Sequence, residues 1–423
     1  MMSVRLGHLR NRYLLASVMA LLSAAPAATQ KEQEVLPPIA RYTVDAGTVS
    51  GMAAMAGRGG LGSALAMMSG GGGQPIHELV LRLGSTRAPT GAPQAQHFMP
   101  PGARLGQSVE LRSPERASAP GQGGYEPEMP KGRLLIYWGC GAHAPKNQPV
   151  VIDFAKVAKG EIPAGLYAAP INVPGDWSIK PSNSTTYGDW PNSKDRKTVT
   201  ADASLIGAHK ITSSYAPEIG FNLTQDFMPA LSPRSADQPD GSIMLSWDAL
   251  APATGYYAWV FSTKGGASKN DVGDIVWWAS SSTQQFGGPM WDWISPAGVS
   301  RLIAAKTVMP PSQTSCQVPA EVKQAGGQIM MGSLYAYGPQ ADFASPARPK
   351  DPKIAWKPDW ITRVRYRSSS MWMLGMAGMG GAPASSRGET GSNSGGQSEP
   401  KSSGLPKCKG LGGLVMKAKG LCQ

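Results

Sequence analysis

Apolar and polar positions along this chain alternate in short runs and seldom recur at the three-to-four spacing of an amphipathic helix. Residues 76–83 (IHELVLRL), 108–112 (SVELR) and 133–138 (RLLIYW) read as strands, enriched in β-branched and aromatic residues and bounded by turn material. Shorter strands are predicted at 150–154 and 204–212. From residue 241 strands follow in quick succession: 242–247 (SIMLSW), 256–262 (YYAWVFS), 274–280 (DIVWWAS), then 328–337 and 362–366. One helix is predicted over 296–306 (PAGVSRLIAAK), because Ser295 suits an N-cap and Pro296 the first helical position. Residues 29–50 read as an extended lead-in, 51–73 as a low-complexity Gly, Ala and Met segment, and 141–230 as mostly irregular. The fold class these patterns predict is mainly β: one or two sandwich-like modules with long irregular loops, one short helix and a disordered C-terminal tail.

Two of the strands echo each other. Gly132–Trp138 and Gly241–Trp247 share a pattern of glycine, three central apolar residues and a closing tryptophan, each after a proline-rich approach. Related β modules or chance would both produce it. Over 231–345, Ser246-Trp247, then Ala253-Thr254-Gly255-Tyr256, then Leu334-Tyr335-Ala336-Tyr337-Gly338 fall at strand spacings that resemble a fibronectin type III module. The resemblance covers a quarter of the chain. It implies that Trp247 and Trp259 are buried between sheets and that the segment binds or spaces; it implies no activity, because a fold alone does not fix function. The helix over 296–306 departs from that family. The chain then divides into a leader (1–28), an extended and Gly/Met/Ala-rich segment (29–75), a β-rich irregular domain (76–230), a fibronectin type III-like domain (231–375) and a basic tail (376–423).

The leader rests on three features. Arg5, His8, Arg10 and Arg12 form a basic start, Tyr13–Leu22 is a short apolar run, and Ala25-Pro26-Ala27 supplies an A-x-A site. This is the layout of a secretory signal peptide, and the apolar run is about half the roughly 20 residues a membrane span needs. No later segment reaches that length either, so no transmembrane span is expected, and the mature chain is placed outside the cytoplasm, secreted or periplasmic.

Composition narrows the picture. Gly (52) and Pro (37) make up about 21% of the 423 residues, against an average near 12%, which disfavours long regular helices. The formal net charge is +12, of which the tail from Pro383 carries six cations against two anions. A basic exported protein can dwell on anionic polymers or membranes, but no clustered basic stripe with interleaved aromatics is present, so nucleic acid is not an expected partner. The four cysteines, Cys140, Cys316, Cys408 and Cys422, permit two disulfides in three pairings; Cys140–Cys316 with Cys408–Cys422 is favoured, because the latter two share one tail.

Candidate chemistry is sparse. Gly57, Gly59 and Gly62 match G-x-G-x-x-G but lack the strand that a dinucleotide site requires before them. Cys140 and His143 form C-x-x-H without a second metal-spaced pair, and a structural cysteine is favoured. Met371, Met373, Met376 and Met379 recur around Trp372; thioethers can hold Cu(I), although Met also serves as an adaptable apolar filler. Trp277 and Trp278, adjacent on one strand, must point to opposite faces, and Trp291 and Trp293 follow on a turn-rich segment. An exposed pair of these four could stack on sugar rings; otherwise they belong to a core. No paired carboxylates or nucleophile–base spacing argues for catalysis, though such groups can assemble from distant positions. The expected function is therefore an exported, non-catalytic binding or surface-associated protein whose partner is a polysaccharide, an envelope surface or a protein. A hydrolase with a dispersed site and a Met-based copper binder are the alternatives. The sequence names no cofactor.

Overall fold

The computed structural model describes residues 33–56, 74–114, 131–161, 178–266 and 271–374. The leader, the G-x-G-x-x-G match, Met376, Met379, Cys408, Cys422 and the basic tail lie outside these residues. In chain order the strands are β1 (Ala40–Gly51), β2 (Ile76–Ser85), β3 (Ala95–Phe98), β4 (Ser108–Glu110), β5 (Lys131–Trp138), β6 (Val150–Asp153), β7 (Thr186–Trp190) and β8 (Gly207–Ser213). They continue with β9 (Ile219–Leu223), β10 (Arg234–Asp237), β11 (Ile243–Ser246), β12 (Gly255–Lys264), β13 (Asp271–Ala279), β14 (Ser315–Val318), β15 (Met330–Ser345) and β16 (Trp360–Leu374). The fold is mainly β, as the alternation predicts. The expected helix is present as Pro296–Ala304, with the Ser295 hydroxyl accepting from the Gly298 N–H at 3.2 Å. Short helices at Met52–Ala56, Phe154–Ala158 and Ala320–Ala325 have no counterpart in the sequence pattern.

One nine-stranded sheet runs β6-β5-β13-β12-β15-β16-β1-β2-β7. It draws strands from both 76–230 and 231–375, so the boundary expected between them does not separate two sheets. Within it β1, the seventh strand in this order, pairs in parallel with β16 and antiparallel with β2. A four-stranded sheet (β4-β3-β8-β9) and a three-stranded sheet (β10-β11-β14) pack on one face. Alternate residues of each long strand point to that face, as the period of two demands. Tyr42, Val44 and Ala46 of β1, Leu79, Leu81 and Leu83 of β2, and Val364 and Tyr366 of β16 all enter one core with Ile211, Ile219, Leu245 and Val318 from the smaller sheets. The two echoing strands part company: β5 lies in the large sheet and β11 in the three-stranded one. Trp247 and Trp259 are both buried, but in separate cores on opposite sides of the large sheet.

Polar groups stitch these layers. The ring of His209 donates from Nε2 to the Leu205 carbonyl at 2.7 Å, so in the neutral ring its Nδ1 accepts. His97 Nε2 therefore donates to His209 Nδ1 at 2.9 Å, and Tyr42 donates to His97 Nδ1 at 2.8 Å. In this direction the buried chain, from β1 through β3 to β8, satisfies both imidazoles in the neutral form that burial favours. The Cys140–Cys316 disulfide joins the turn after β5 to β14, across a sequence separation of 176. Closing so long a loop removes unfolded-state entropy worth up to about 5 kcal/mol in the chain-entropy account. Flanking bonds from Gly141 N–H to the Gln317 carbonyl (2.8 Å) and from Ala320 N–H to the Ala142 carbonyl (2.9 Å) fix the same junction.

The histidine chain sets a pH dependence. Burial pushes His97 well below the ordinary imidazole value, helped by the neighbouring His209, and burial likewise lowers His209. In the unfolded chain both rings take up protons as pH falls through about 6.5, while the folded rings do not. Stability is therefore fully present above pH 6.5 and declines below it, by up to about 2.7 kcal/mol per pH unit from these two sites. Urea unfolding between pH 7.5 and 5 measures this slope. A flat profile would show that the rings protonate within the fold.

Candidate functional site

On its second face the large sheet divides in two. Over β5, β13, β12 and β15 lies an apolar layer in which Trp259 and Trp277 stack with centroids 4.9 Å apart and Trp291 meets each ring at 6.0 Å. Ile294, Val299 and Leu302 of the segment containing the Pro296–Ala304 helix cover it. Over β16, β1, β2 and β7 the same face is charged, and the part carrying Glu78, Arg82, Asp189 and Arg367 forms the floor of a cleft of roughly 1390 Å³.

The floor is an interleaved lattice of charge. Arg363, Arg365 and Arg367 share one face of β16, an arrangement that repels itself unless acids stand between. The register supplies them. Asp342 of β15 lies opposite Arg363 and bonds its Nε at 3.1 Å. Asp45 of β1 lies opposite Arg365, which grips both carboxylate oxygens at 2.8 and 3.0 Å, and Arg82 of β2 adds a third bond at 2.6 Å. The Asp45 side chain has no solvent exposure at all. Gly47 lies opposite both Arg367 and Glu78. Lacking a side chain, it lets those two meet across the middle strand at 2.8 Å; a Cβ there would come within 3.2 Å of Glu78 Oε2 and 3.5 Å of the Trp293 ring.

The same arginines hold the cleft's first wall, the loop through Trp291, Asp292 and Trp293. Arg365 Nη1 donates to the Trp293 carbonyl and Arg367 Nη1 to the Trp291 carbonyl. The Arg367 guanidinium lies 3.5 Å from the Trp293 ring centroid, and the Trp293 indole N–H reaches the Ala46 carbonyl at 3.2 Å. Burial alone would weaken the Arg367 charge. Glu78, Tyr335 and Asp292 together outweigh that penalty and hold the guanidinium above its ordinary pKa.

The second wall is residues 189–199. Trp190 and Val199 are buried and anchor its ends. Between them the Asn192 carboxamide organises a turn: its oxygen accepts from the N–H groups of Lys194 (3.1 Å) and Asp195 (3.0 Å), and its nitrogen donates to the carbonyls of Glu110 (2.9 Å) and Asp189 (3.0 Å). Asp189 extends from β7 onto the floor, where Tyr187 donates to it at 3.0 Å. Burial raises the Asp189 carboxyl above the usual range, against the lowering effects of Tyr187 and Arg82.

The tryptophans expected to bind separate into two groups. Trp291, half-buried, and Trp293, buried with the Arg367 guanidinium over its ring, line the cleft. Trp277 and Trp278 do point to opposite faces, but both are buried because β13 is an interior strand covered on each side; their indole N–H groups bond the Gln285 (3.0 Å) and Gly139 (2.8 Å) carbonyls. Neither presents a ring to solvent. Met371 and Met373 sit half-buried on one face of β16, with Met331 opposite Met373 in the register. Cys140 is in its disulfide, and His143 pairs with Glu321 at 3.1 Å on the surface. No group of three or more His, Cys, Asp and Glu side chains among the described residues is placed to hold a metal. Glu78, Arg82, Asp189 and Arg367, which line the cleft, and Asp45, Gly47 and Arg365, which hold them from beneath, carry no motif. Their one sequence signal is the alternating R-x-R-x-R of 363–367.

Comparison with protein-family models and with curated proteins finds no match to this chain. The fold and the cleft together describe a β protein with a preformed, polar and aromatic groove.

Replacing Asp45 by Asn keeps the shape of the side chain and leaves Arg82 and Arg365 without their counter-charge. The expected loss is about 3–5 kcal/mol of unfolding free energy. Gly47→Ala should cost less, about 1–3 kcal/mol, by crowding Glu78 and Trp293. Denaturant melts of the two variants check both values; an Asp45→Asn protein as stable as wild type would remove the lattice from the account of stability.

Proposed function

We propose that this protein is exported and binds an extended glycan in the cleft, without catalysis. The observation that carries the reading is the cleft's make-up: the half-buried Trp291 indole, backed by Trp293, above a floor of carboxylates and guanidinium groups already fixed by one another. Sugar rings offer C–H faces that rest on indoles and hydroxyls that pair with planar polar side chains. Sites held rigid before the ligand arrives lose less entropy on binding. The volume exceeds the roughly 300–1,000 Å³ of small-molecule pockets, which suits several linked rings.

Binding fits this floor better than hydrolysis. Arg82 pairs with Asp189 in the register, so Glu78 stands four residues along β2, about 13 Å away. Glu78 leans across Gly47 to Arg367, and Asp189 is tied to Tyr187 on the side away from Glu78. The carboxyl pairs of glycosidases lie about 5–9.5 Å apart.

The disulfide and the absence of a membrane-crossing helix among the described residues are compatible with export. The fibronectin type III-like reading of 231–345 supports the same binding role.

Titration of the mature chain with a panel of oligosaccharides, followed by tryptophan fluorescence, tests the reading. Trp291→Ala should weaken a bound oligosaccharide about tenfold or more, equivalent to about 1.4 kcal/mol. Asp292→Ala, an exposed change on the same wall, should weaken it without altering the melting temperature. No response to any oligosaccharide would sink the reading.

A further inference from the structure

Among the described residues, two cations on the second wall have no acidic partner. Six cations line the cleft, namely Arg82, Arg112, Lys194, Arg196, Lys197 and Arg367, against four acids, Glu78, Glu110, Asp189 and Asp292. Most of these cations are already neutralised. Arg367 holds Glu78, Arg112 holds Glu110 at 2.6 Å, Arg82 holds Asp45, and Lys197 holds Asp195 at 3.4 Å. Lys194 and Arg196 form no ion pair with any described residue, and both are exposed at the rim. Their loop is nevertheless ordered by the Asn192 turn, and Arg196 Nε donates to the Asn192 carbonyl at 3.3 Å, while the two terminal nitrogens of its guanidinium bond no described residue. A guanidinium fork on a fixed turn, beside an ammonium two residues away, is suited to a planar anion.

We infer that the glycan held by the cleft is acidic, with its anionic groups read by Lys194 and Arg196 while its rings lie toward Trp291 on the opposite wall. This deepens the glycan reading and rests on it. The chemistry is that of a carboxylate- or sulfate-bearing oligosaccharide. The walls divide the work: the indole side accepts any pyranose face, and the cationic side selects charge. Because both cations are exposed, their attraction is screened, and affinity for the acidic ligand falls as salt rises. A neutral oligosaccharide lacks that dependence.

The test uses the full mature chain and three oligosaccharides of matched length: neutral glucose units, uronate units and sulfated units, each titrated by calorimetry at low salt and at about 0.15 M. The wild type is expected to bind an acidic oligomer about tenfold or more tightly than the neutral one, with the advantage shrinking at the higher salt. Lys194→Ala with Arg196→Ala should reduce the acidic oligomer to the affinity of the neutral one and leave the neutral affinity and melting temperature unchanged. Lys194→Glu with Arg196→Glu should invert the preference. A stronger response to uronate or to sulfate identifies which acid the site takes. Equal affinity for neutral and acidic oligomers, or a preference that survives the double substitution, overturns this inference while leaving the glycan cleft standing. Failure of all three oligomers to bind overturns the glycan reading itself.

Discussion

A single carboxylate, that of Asp45, lies at the centre of this molecule's organisation. It is fully enclosed, and both its oxygens are taken by arginines from the strands on either side. A buried charge is tolerated only when opposite charges and hydrogen bonds replace the water it has lost. Asp45 therefore fixes where Arg82 and Arg365 lie. Arg365 in turn carries the loop through Trp293. The register of three strands, the position of one wall and the chemistry of the floor are consequences of one electrostatic requirement.

That dependence explains how one sheet face serves two purposes. Over its apolar half, stacked indoles and a capped helix close the surface by excluding water. Over its charged half no apolar cover would be tolerated, because it would strip solvent from groups such as Glu78 and Asp189. The border falls at Trp291 and Trp293. Trp291 continues the aromatic layer of Trp259 and Trp277, whereas Trp293 turns its ring under Arg367. Gly47 completes the arrangement by leaving the space that lets Glu78 and Arg367 meet.

Much of the architecture is legible in the sequence wherever strands alternate strongly. Apolar spacing and capping residues mark β2, β5, β12, β13 and the helix at Pro296, and placement in the ordered half marks the cysteine pair. The interior strand β1 escapes such a reading, because Thr48, Ser50 and the glycines at 47 and 51 resemble a linker. In the fold, the Thr48 and Ser50 hydroxyls bond the Met228 and Leu231 carbonyls at 2.6 Å, which needs short polar side chains rather than branched apolar ones. β16 reads short for the same reason, its three serines at 368–370 being buried against β1 and β15. The cleft is invisible for a different reason. Its residues come from strands far apart in sequence, and nothing local marks Asp45 as the partner of Arg365, 320 residues away.

The parallel pairing of β1 with β16 has a bearing on how the chain reaches its native state. The strand at 40–51 can be flanked on both sides only once the strand at 360–374 exists, so this interior part of the sheet is the last for which all material is at hand during synthesis. Contacts of such long range are slow to form, since the intervening loop must close before any of them is rewarded. An emerging polypeptide of this design stays without its keystone until nearly the whole described sequence has been made. For a chain exported as proposed, that delay preserves the extended form that a narrow translocation channel can thread.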